Sequence, residues 1–276
     1  CLFGTVSVGE PAGRAYSDIP SMVLKYVIEA AASMPLADFV RETVLDRAGM
    51  AETWARVPAE RLADCQRYAP EYRMMEGTPL RRNGAGPGIP HDPKAAMLQG
   101  DSGDLCGHAG LFSTASDITR FCRAVLEEKI VSAESLREMA VNRTGRRRPD
   151  GTYSQYLGYQ CYVRHPVQYD SEIPRYMGLR AFGNAGFTGN HLSVDPERGS
   201  FVFFLGNRVR DRLTTLIPEK GKTLADYGLR ADGSGAVIWA DGTRVPSSVR
   251  YVHQKDEHLH QAVGRVLGLP DLPFEE

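Results

Sequence analysis

No stretch of this sequence is apolar for the length that a bilayer span requires, and other features of specialised proteins are also missing. Among the 276 residues, 33 basic and 34 acidic side chains give a formal net charge of −1. This balance gives no electrostatic reason to expect nucleic acid or an anionic membrane as a partner. Five cysteines without short regular spacing argue against a disulfide scaffold and against a zinc module. We therefore expect an ordinary globular protein without a metal or cofactor.

The chain also lacks an initiator methionine, because its first residue is Cys1, and no signal-like segment precedes that residue. We expect the sequence to begin inside a longer protein or after a processing step. Its start therefore does not indicate a compartment.

Residues 1–150 form a mainly helical region with long loops in our prediction. Asp18 and Ser116 are placed as N-caps of the two stronger helices. The stretch 51–105 is rich in proline and glycine, so we expect a long excursion with short helical turns. From apolar residues at helical spacing, helices are predicted at about 19–31, 36–47, 116–126 and 133–141.

Residues 151–276 are predicted to form an antiparallel sheet with a C-terminal helix. Strands are predicted at 153–163 and 236–240, and a closing helix at 253–267. A hairpin is predicted around the turn 195–199, with its second strand, Phe201–Leu205, buried on both faces because it is apolar almost throughout. Because helices are predicted in the first part of the chain and antiparallel strands in the second, the sequence indicates an α+β protein.

Three glycines interrupt the segment just before this hairpin. Gly183, Gly186 and Gly189 recur every third residue, where a central strand normally carries branched or aromatic side chains. One interpretation is a substrate whose carbonyl is held by a strand N–H; the other is bulges or tight packing inside the protein. This segment alone leaves both open.

Five separated segments, in order, carry a shared pattern: Tyr16-Ser17-Asp18, Pro35 to Met50, His91 to Ala95, Gly107 to Ala115 and Gly183 to Gly189. Together they resemble the serine β-lactamase and penicillin-binding-protein superfamily, in its class C β-lactamase-like branch of esterases and D-alanyl-D-alanine peptidases. The resemblance covers about residues 10–210. It implies an antiparallel sheet flanked by helices, and hydrolysis of an ester, amide or peptide through an acyl-enzyme. It also implies a small-molecule or peptide substrate and a bacterial cell-envelope location.

The resemblance further implies roles for individual residues. Tyr16 would take and return the proton, and Asp18 would position it or contact substrate. The backbone N–H of Phe187 would be one oxyanion donor. Without the resemblance, Tyr16 is an aromatic residue flanking a helix start and Asp18 a plain N-cap. The remaining residues assigned to substrate binding are Asn184, Ala185, Gly186 and His108.

Two histidines near these segments are candidate general bases. We expect His91 and His108 instead to have structural roles, fixing loops near the cleft. His253, His258 and His260 fall on different faces of one helix, which argues against a metal site there.

The sequence departs from the family pattern at the nucleophile. The family uses the serine of a Ser-x-x-Lys turn, and no serine in this chain has a lysine three residues on. Either the nucleophile lies in a preceding segment, or the chain is an inactive relative that binds peptidoglycan-like peptides. A further alternative is Cys1 acting as an N-terminal nucleophile after autoproteolysis.

A second departure lies in the glycine-rich strand. Asn184 stands where the family has His or Lys, and Ala185 where it has Thr or Ser. The lost cation and hydroxyl would have held a substrate carboxylate. This favours a neutral ester, amide or peptide as substrate.

Overall fold

The computed structural model describes residues 17–75, 77–84, 86–144, 149, 156–165, 167, 169 and 172–274. Cys1 and Tyr16, as well as the beginning of the strand predicted at 153–163, lie outside this part of the chain.

Eight α-helical segments occur within the described residues. Each of the four helices predicted for the first half is present, and so is the closing helix. Between α2 and α3, and again between α7 and α8, the helix continues through a π-helical turn. No helix in the described ranges has both the length and the apolar character needed to cross a membrane. The segments are α1 Ile19–Ala32, α2 Leu36–Val40, α3 Asp46–Ala48, α4 Pro93–Ser102, α5 Ala115–Leu126, α6 Ala133–Met139, α7 Tyr251–Lys255 and α8 Gln261–Leu267.

Two helix starts differ from the sequence prediction. Helix α5 is capped by Thr114, whose hydroxyl accepts a hydrogen bond from the Asp117 N–H at 3.2 Å, so Ser116 lies inside the helix. Asp18 precedes α1 but makes no capping hydrogen bond. Its own backbone is already helical (φ −78°, ψ −21°), unlike the extended backbone that side-chain caps normally adopt.

The strands form three small sheets. The largest has the antiparallel order β3-β4-β5-β6. In the second, β1 pairs with β2 antiparallel and with β7 parallel. The third has the antiparallel order β10-β9-β8. The strands are β1 Glu71–Met75, β2 Thr78–Arg82, β3 Tyr162–Val163, β4 Phe182–Ala185, β5 His191–Asp195, β6 Ser200–Phe204, β7 Arg212–Ile217, β8 Arg230–Ala231, β9 Ala236–Ile238 and β10 Arg244–Pro246.

The predicted hairpin is present as β5 and β6, in which Asp195 pairs with Ser200. Strand β6 is partly exposed, however, because it lies at the edge of its sheet; the prediction that it is buried on both faces was wrong. Strands β1, β2 and β7 lie in stretches expected to be loops. The mixture of antiparallel sheets and helices confirms the α+β class.

Two hydrophobic clusters hold these layers together. The first packs α5 and α6 against the largest sheet and includes Cys122, which is fully buried as expected. The second lies between the two smaller sheets, with Tyr72 edge-on to Trp239 at 5.1 Å between ring centroids. The first cluster includes Phe182 of β4, so this strand packs against the two helices.

Candidate functional site

Four polar side chains from three segments meet at the start of α1. The Nε2 atom of His108 lies 3.1 Å from Asp92 Oδ1 and 3.9 Å from Asp18 Oδ2. Lys94 Nζ lies 3.1 Å from a carboxylate oxygen of each aspartate. Asp18 is therefore not a plain N-cap; its carboxylate belongs to this cluster.

Asp92 has a second task, because its side chain caps α4 by accepting hydrogen bonds from the backbone N–H groups of Lys94 and Ala95. Burial alone would raise the pKa of Asp92, but the Ala95 N–H and the Lys94 ammonium outweigh it and lower that pKa. Burial alone would lower the pKa of Lys94, but its hydrogen bonds to Asp92 and Asp18 outweigh burial and raise that pKa. Both side chains are therefore charged at neutral pH.

One atom each from Asp18, Asp92 and His108 lie within 4.8 Å of one another, so these residues could hold a metal ion. Lys94, however, already places a positive charge between the two carboxylates. Lys94 therefore supplies the positive charge that a metal ion would bring to the two carboxylates.

Gln160 connects helix α1 with strand β4. Its side-chain oxygen accepts a hydrogen bond from Ser21 on α1 at 3.1 Å, and its backbone carbonyl accepts one from Asn184 at 3.2 Å. Gln160 has a φ of +55°, a conformation that non-glycine residues adopt infrequently. Gly107 allows close contact on the other side, since a Cβ there would lie 2.6 Å from the Ser21 carbonyl oxygen.

The turn after β4 is held in place by hydrogen bonds that its carbonyl groups accept. Arg208 donates from Nε to the Phe187 carbonyl at 2.6 Å and from its backbone N–H to the Thr188 carbonyl at 2.9 Å. Tyr251 donates to the Gly189 carbonyl at 2.8 Å. Within the described residues, the Phe187 N–H donates no hydrogen bond. A backbone donor held in this way is suited to stabilise an oxyanion.

His91 joins Phe187 to a buried carboxylate. Its Nε2 lies 2.7 Å from Glu71 Oε2, and its ring stacks on that of Phe187 with 5.4 Å between centroids. This is the structural role expected for His91. Because Asp92 follows directly, the same loop also reaches His108.

Of the residues predicted from the sequence, the described part of the chain brings Asp18 and His108 into one cluster. Asn184 is linked to helix α1 through Gln160, which bonds Ser21. The Asn184 side chain is exposed; its amide donates to the Gln160 carbonyl and its oxygen accepts from the Ala185 N–H. Sequence reasoning did not single out Lys94, Gln160, Arg208 or Tyr251.

The structure explains each of the three glycines in this region differently. A Cβ at Gly183 would lie 2.4 Å from the Leu192 carbonyl oxygen of the neighbouring strand, so tight packing explains this position. Gly189 has a φ of +111° and lies against Arg208. A Cβ at Gly186 would meet nothing closer than 3.7 Å. The interpretation that a substrate approaches the backbone therefore remains only for Gly186.

Alanine substitutions test whether tight packing requires glycine at position 183 but not at position 186. We expect Gly183→Ala to lower the free energy of unfolding by about 1–3 kcal/mol, because the strands must move apart to admit the methyl group. Gly186→Ala is the matched control and should change stability by less than about 0.5 kcal/mol. Urea unfolding of both variants measures the difference; equal stabilities would contradict the tight packing at Gly183.

With this geometry described, comparison with known proteins gives the family. A Salmonella agona (strain SL483) protein named "Putative D-alanyl-D-alanine carboxypeptidase" is 28% identical over 204 residues, which is 70% of this chain but only 45% of that protein. The chain thus spans less than half the length of this curated relative.

The solved structure of EstCE1, titled a hydrolase with promiscuous acyltransferase activity, matches at a TM-score of 0.53 and 18% identity, covering 90% of this chain and 56% of that chain. At this identity the match bears on the fold alone. Residues 7–218 match the Beta-lactamase family model. Because this match covers more than half of the sequence, the chain belongs to the Beta-lactamase family.

Proposed function

We propose that this chain is part of a serine hydrolase that cleaves an ester, amide or peptide through an acyl-enzyme. The observation that carries the proposal is the Phe187 N–H, which donates no hydrogen bond to any described residue, on a turn fixed by Arg208 and Tyr251. This turn follows strand β4, which Gln160 ties to the start of α1. An acyl-transfer site needs an oxyanion donor next to a proton acceptor in one cleft. Family membership is consistent with this chemistry.

In this proposal Tyr16 accepts the proton of the nucleophile and later returns it. Asp18, two residues on, contacts Lys94 and His108. Gly186 leaves room for the substrate beside the Phe187 N–H. Asn184 and Ala185 border the same strand end.

The nucleophile would come from a Ser-x-x-Lys helix in additional chain that packs on α1. The surface of α1 supports this, because Ile19, Tyr26 and Val27 are 47–56% exposed whereas Lys25, on the same helix, is only 4% exposed. An apolar helix face turned outward is a surface that another segment normally covers. The greater length of the curated relative leaves room for such a segment.

A covalent probe tests this proposal. The complete gene product should be labelled by a fluorophosphonate or a penicillin at a serine of a Ser-x-x-Lys sequence outside residues 1–276. Peptide mapping by mass spectrometry locates the label. The 276-residue chain is the control and should be neither labelled nor active on a chromogenic ester.

Two outcomes would contradict the proposal. Turnover by the 276-residue chain that survives Cys1→Ala would show that a nucleophile within the chain was overlooked. A complete gene product that binds peptidoglycan-like peptides but takes no label would instead be an inactive binding protein.

A further inference from the structure

The C-terminal part of the chain supplies one of the hydrogen bonds that hold the turn after β4. Helix α7 begins at Tyr251, outside residues 7–218, the range that matches the family model. The Tyr251 hydroxyl donates to the Gly189 carbonyl at 2.8 Å, across 62 positions of sequence. Burial raises the pKa of this hydroxyl, so it keeps its proton and remains a donor at neutral pH. A residue outside the family match therefore contacts the candidate site.

Buried charges fix the position from which Tyr251 reaches this turn. Lys255, one helical turn further on, is 1% exposed and pairs with Glu172 at 2.7 Å. Asp256 follows and accepts hydrogen bonds from Arg175 at 2.6 and 2.9 Å. Because separating a buried ion pair is costly, these contacts anchor α7 to the segment that precedes β4. Tyr251, the first residue of α7, therefore has little freedom to follow a movement of the turn.

The backbone of the turn connects the contact at Gly189 with Phe187. The Gly189 N–H donates to the Gly186 carbonyl at 3.0 Å. That carbonyl belongs to the same peptide group as the Phe187 N–H. The peptide is trans, so it is planar and its C=O and N–H point in opposite directions. Holding the Gly186 carbonyl in place therefore sets the direction of the Phe187 N–H.

Gly189 needs this support because its backbone is permissive. Its φ of +111° is a conformation that side chains rarely allow, and glycine loses more conformational freedom on ordering than any other residue. Arg208 holds the carbonyls of Phe187 and Thr188, but not that of Gly189. In the part of the chain that the structure describes, the Tyr251 hydroxyl is the side-chain donor that holds the Gly189 carbonyl.

We infer that Tyr251 is a positioning residue, which holds the Phe187 N–H in the direction that an oxyanion donor needs. The inference rests on the proposed function only for the use of that N–H in catalysis. Oxyanion donors act because they are preorganised, so a donor that can rotate loses much of its effect. Through Tyr251, the C-terminal helix becomes part of the support of the candidate site.

Amide hydrogen exchange in the complete gene product tests the positioning without any turnover. Tyr251→Phe removes the hydroxyl and keeps the ring. In this variant we expect the Gly189 amide to exchange with deuterium about tenfold faster, because its hydrogen bond to Gly186 opens more often. The amides of β5 should exchange as before. Tyr227→Phe is the matched control, because the Tyr227 hydroxyl accepts from the Glu219 N–H, and it should leave the exchange of Gly189 unchanged.

Kinetics of the complete gene product test the consequence for catalysis. With a chromogenic ester, Tyr251→Phe should lower kcat about tenfold and change KM by less than about twofold, because the Phe187 N–H is used in the transition state. Unchanged exchange at Gly189, equally faster exchange throughout β5, or an unchanged kcat in an active enzyme would overturn the inference. A wild-type protein that takes no covalent label would contradict the proposed function instead, and the exchange measurement would still decide whether Tyr251 holds the turn.

Discussion

Glu71→Ala should lower the free energy of unfolding by about 3–5 kcal/mol, the cost of breaking a buried ion pair on one side. The substitution leaves Arg73, Arg82 and His91 without the carboxylate that binds them, while their burial is unchanged. Glu71→Gln keeps the shape and one acceptor oxygen, so its loss should be smaller. Urea unfolding at neutral pH gives the comparison.

A surface pair provides the control for this prediction. Glu52 contacts Arg61 at 2.5 Å, but both side chains are about 35% exposed. Exposed pairs contribute only about 0–1 kcal/mol, so Glu52→Ala should have little effect. If Glu71→Ala cost no more than Glu52→Ala, the cluster around Glu71 would not stabilise the fold.

The pKa of Glu71 also sets a pH window. Burial alone would raise it, but hydrogen bonds from His91, Arg73 and Thr214 outweigh burial and lower the pKa to about 2, against an ordinary value of 4.5. A carboxylate with a lowered pKa stabilises the fold above its unfolded-state value. This contribution is complete above about pH 4.5 and is lost as the pH falls through about 2.

As the pH falls, the protein should begin to lose stability at a higher pH than this, because of a buried histidine. Burial, with smaller effects of His260 and Lys255, lowers the pKa of His191 to about 2, against 6.5 for an ordinary histidine. The unfolded chain therefore takes up a proton at a pH where the folded protein does not. Stability from this residue is complete above about pH 6.5 and falls by about 1.4 kcal/mol per pH unit below it.

The surroundings of His191 explain why it stays neutral. Its Nε2 lies 2.8 Å from the Ser193 hydroxyl, and its ring packs edge-on to that of His260 at 4.8 Å. The nearby charges are those of Lys255 and Glu172, which form their own ion pair at 2.7 Å. No carboxylate in the described part of the chain lies within ion-pair distance of His191, so a proton on its ring would be uncompensated.

Unfolding measured between pH 6.5 and 4.5 tests this effect, because Glu71 does not titrate in that range. His191→Gln should remove about 2–3 kcal/mol of the pH-dependent loss. His258→Gln is the control, because His258 is exposed and lies on the helical turn that also carries His260. His165, whose pKa burial lowers to about 4, supplies a second and smaller contribution of the same sign. An unchanged pH slope in His191→Gln would rule out the mechanism.

Sequence patterns predicted the helices and the β5–β6 hairpin because these elements depend on local periodicity. The apolar positions of α1 and the glycine that ends α3 are visible within a few residues. Strand β7 was missed because it mixes polar and apolar residues without alternation, and β1 because its five residues lie in a stretch rich in proline and glycine. Their parallel pairing joins segments 143 positions apart, through Glu71 and Thr214, so it is not visible in local sequence.

The candidate site was predictable only where a motif carried it. Asp18, His108 and Phe187 follow from the family resemblance, but the resemblance does not place their side chains. Gln160 and Arg208 were missed because each acts through a contact with residues more than twenty positions away. Tyr251 lies in the C-terminal part, for which no role was predicted; its hydrogen bond to the Gly189 carbonyl supplies one.

The parallel pairing of β1 with β7 has a consequence for biosynthesis. Glu71 and Thr214, which meet in this pairing, are 143 positions apart, and the segments that carry His91, His108, Gln160 and Phe187 all lie between them. Contacts this distant along the chain form late and slowly. A ribosome must therefore release β7 before the sheet that holds Glu71 is complete, and nascent chains halted earlier leave one edge of β1 unpaired.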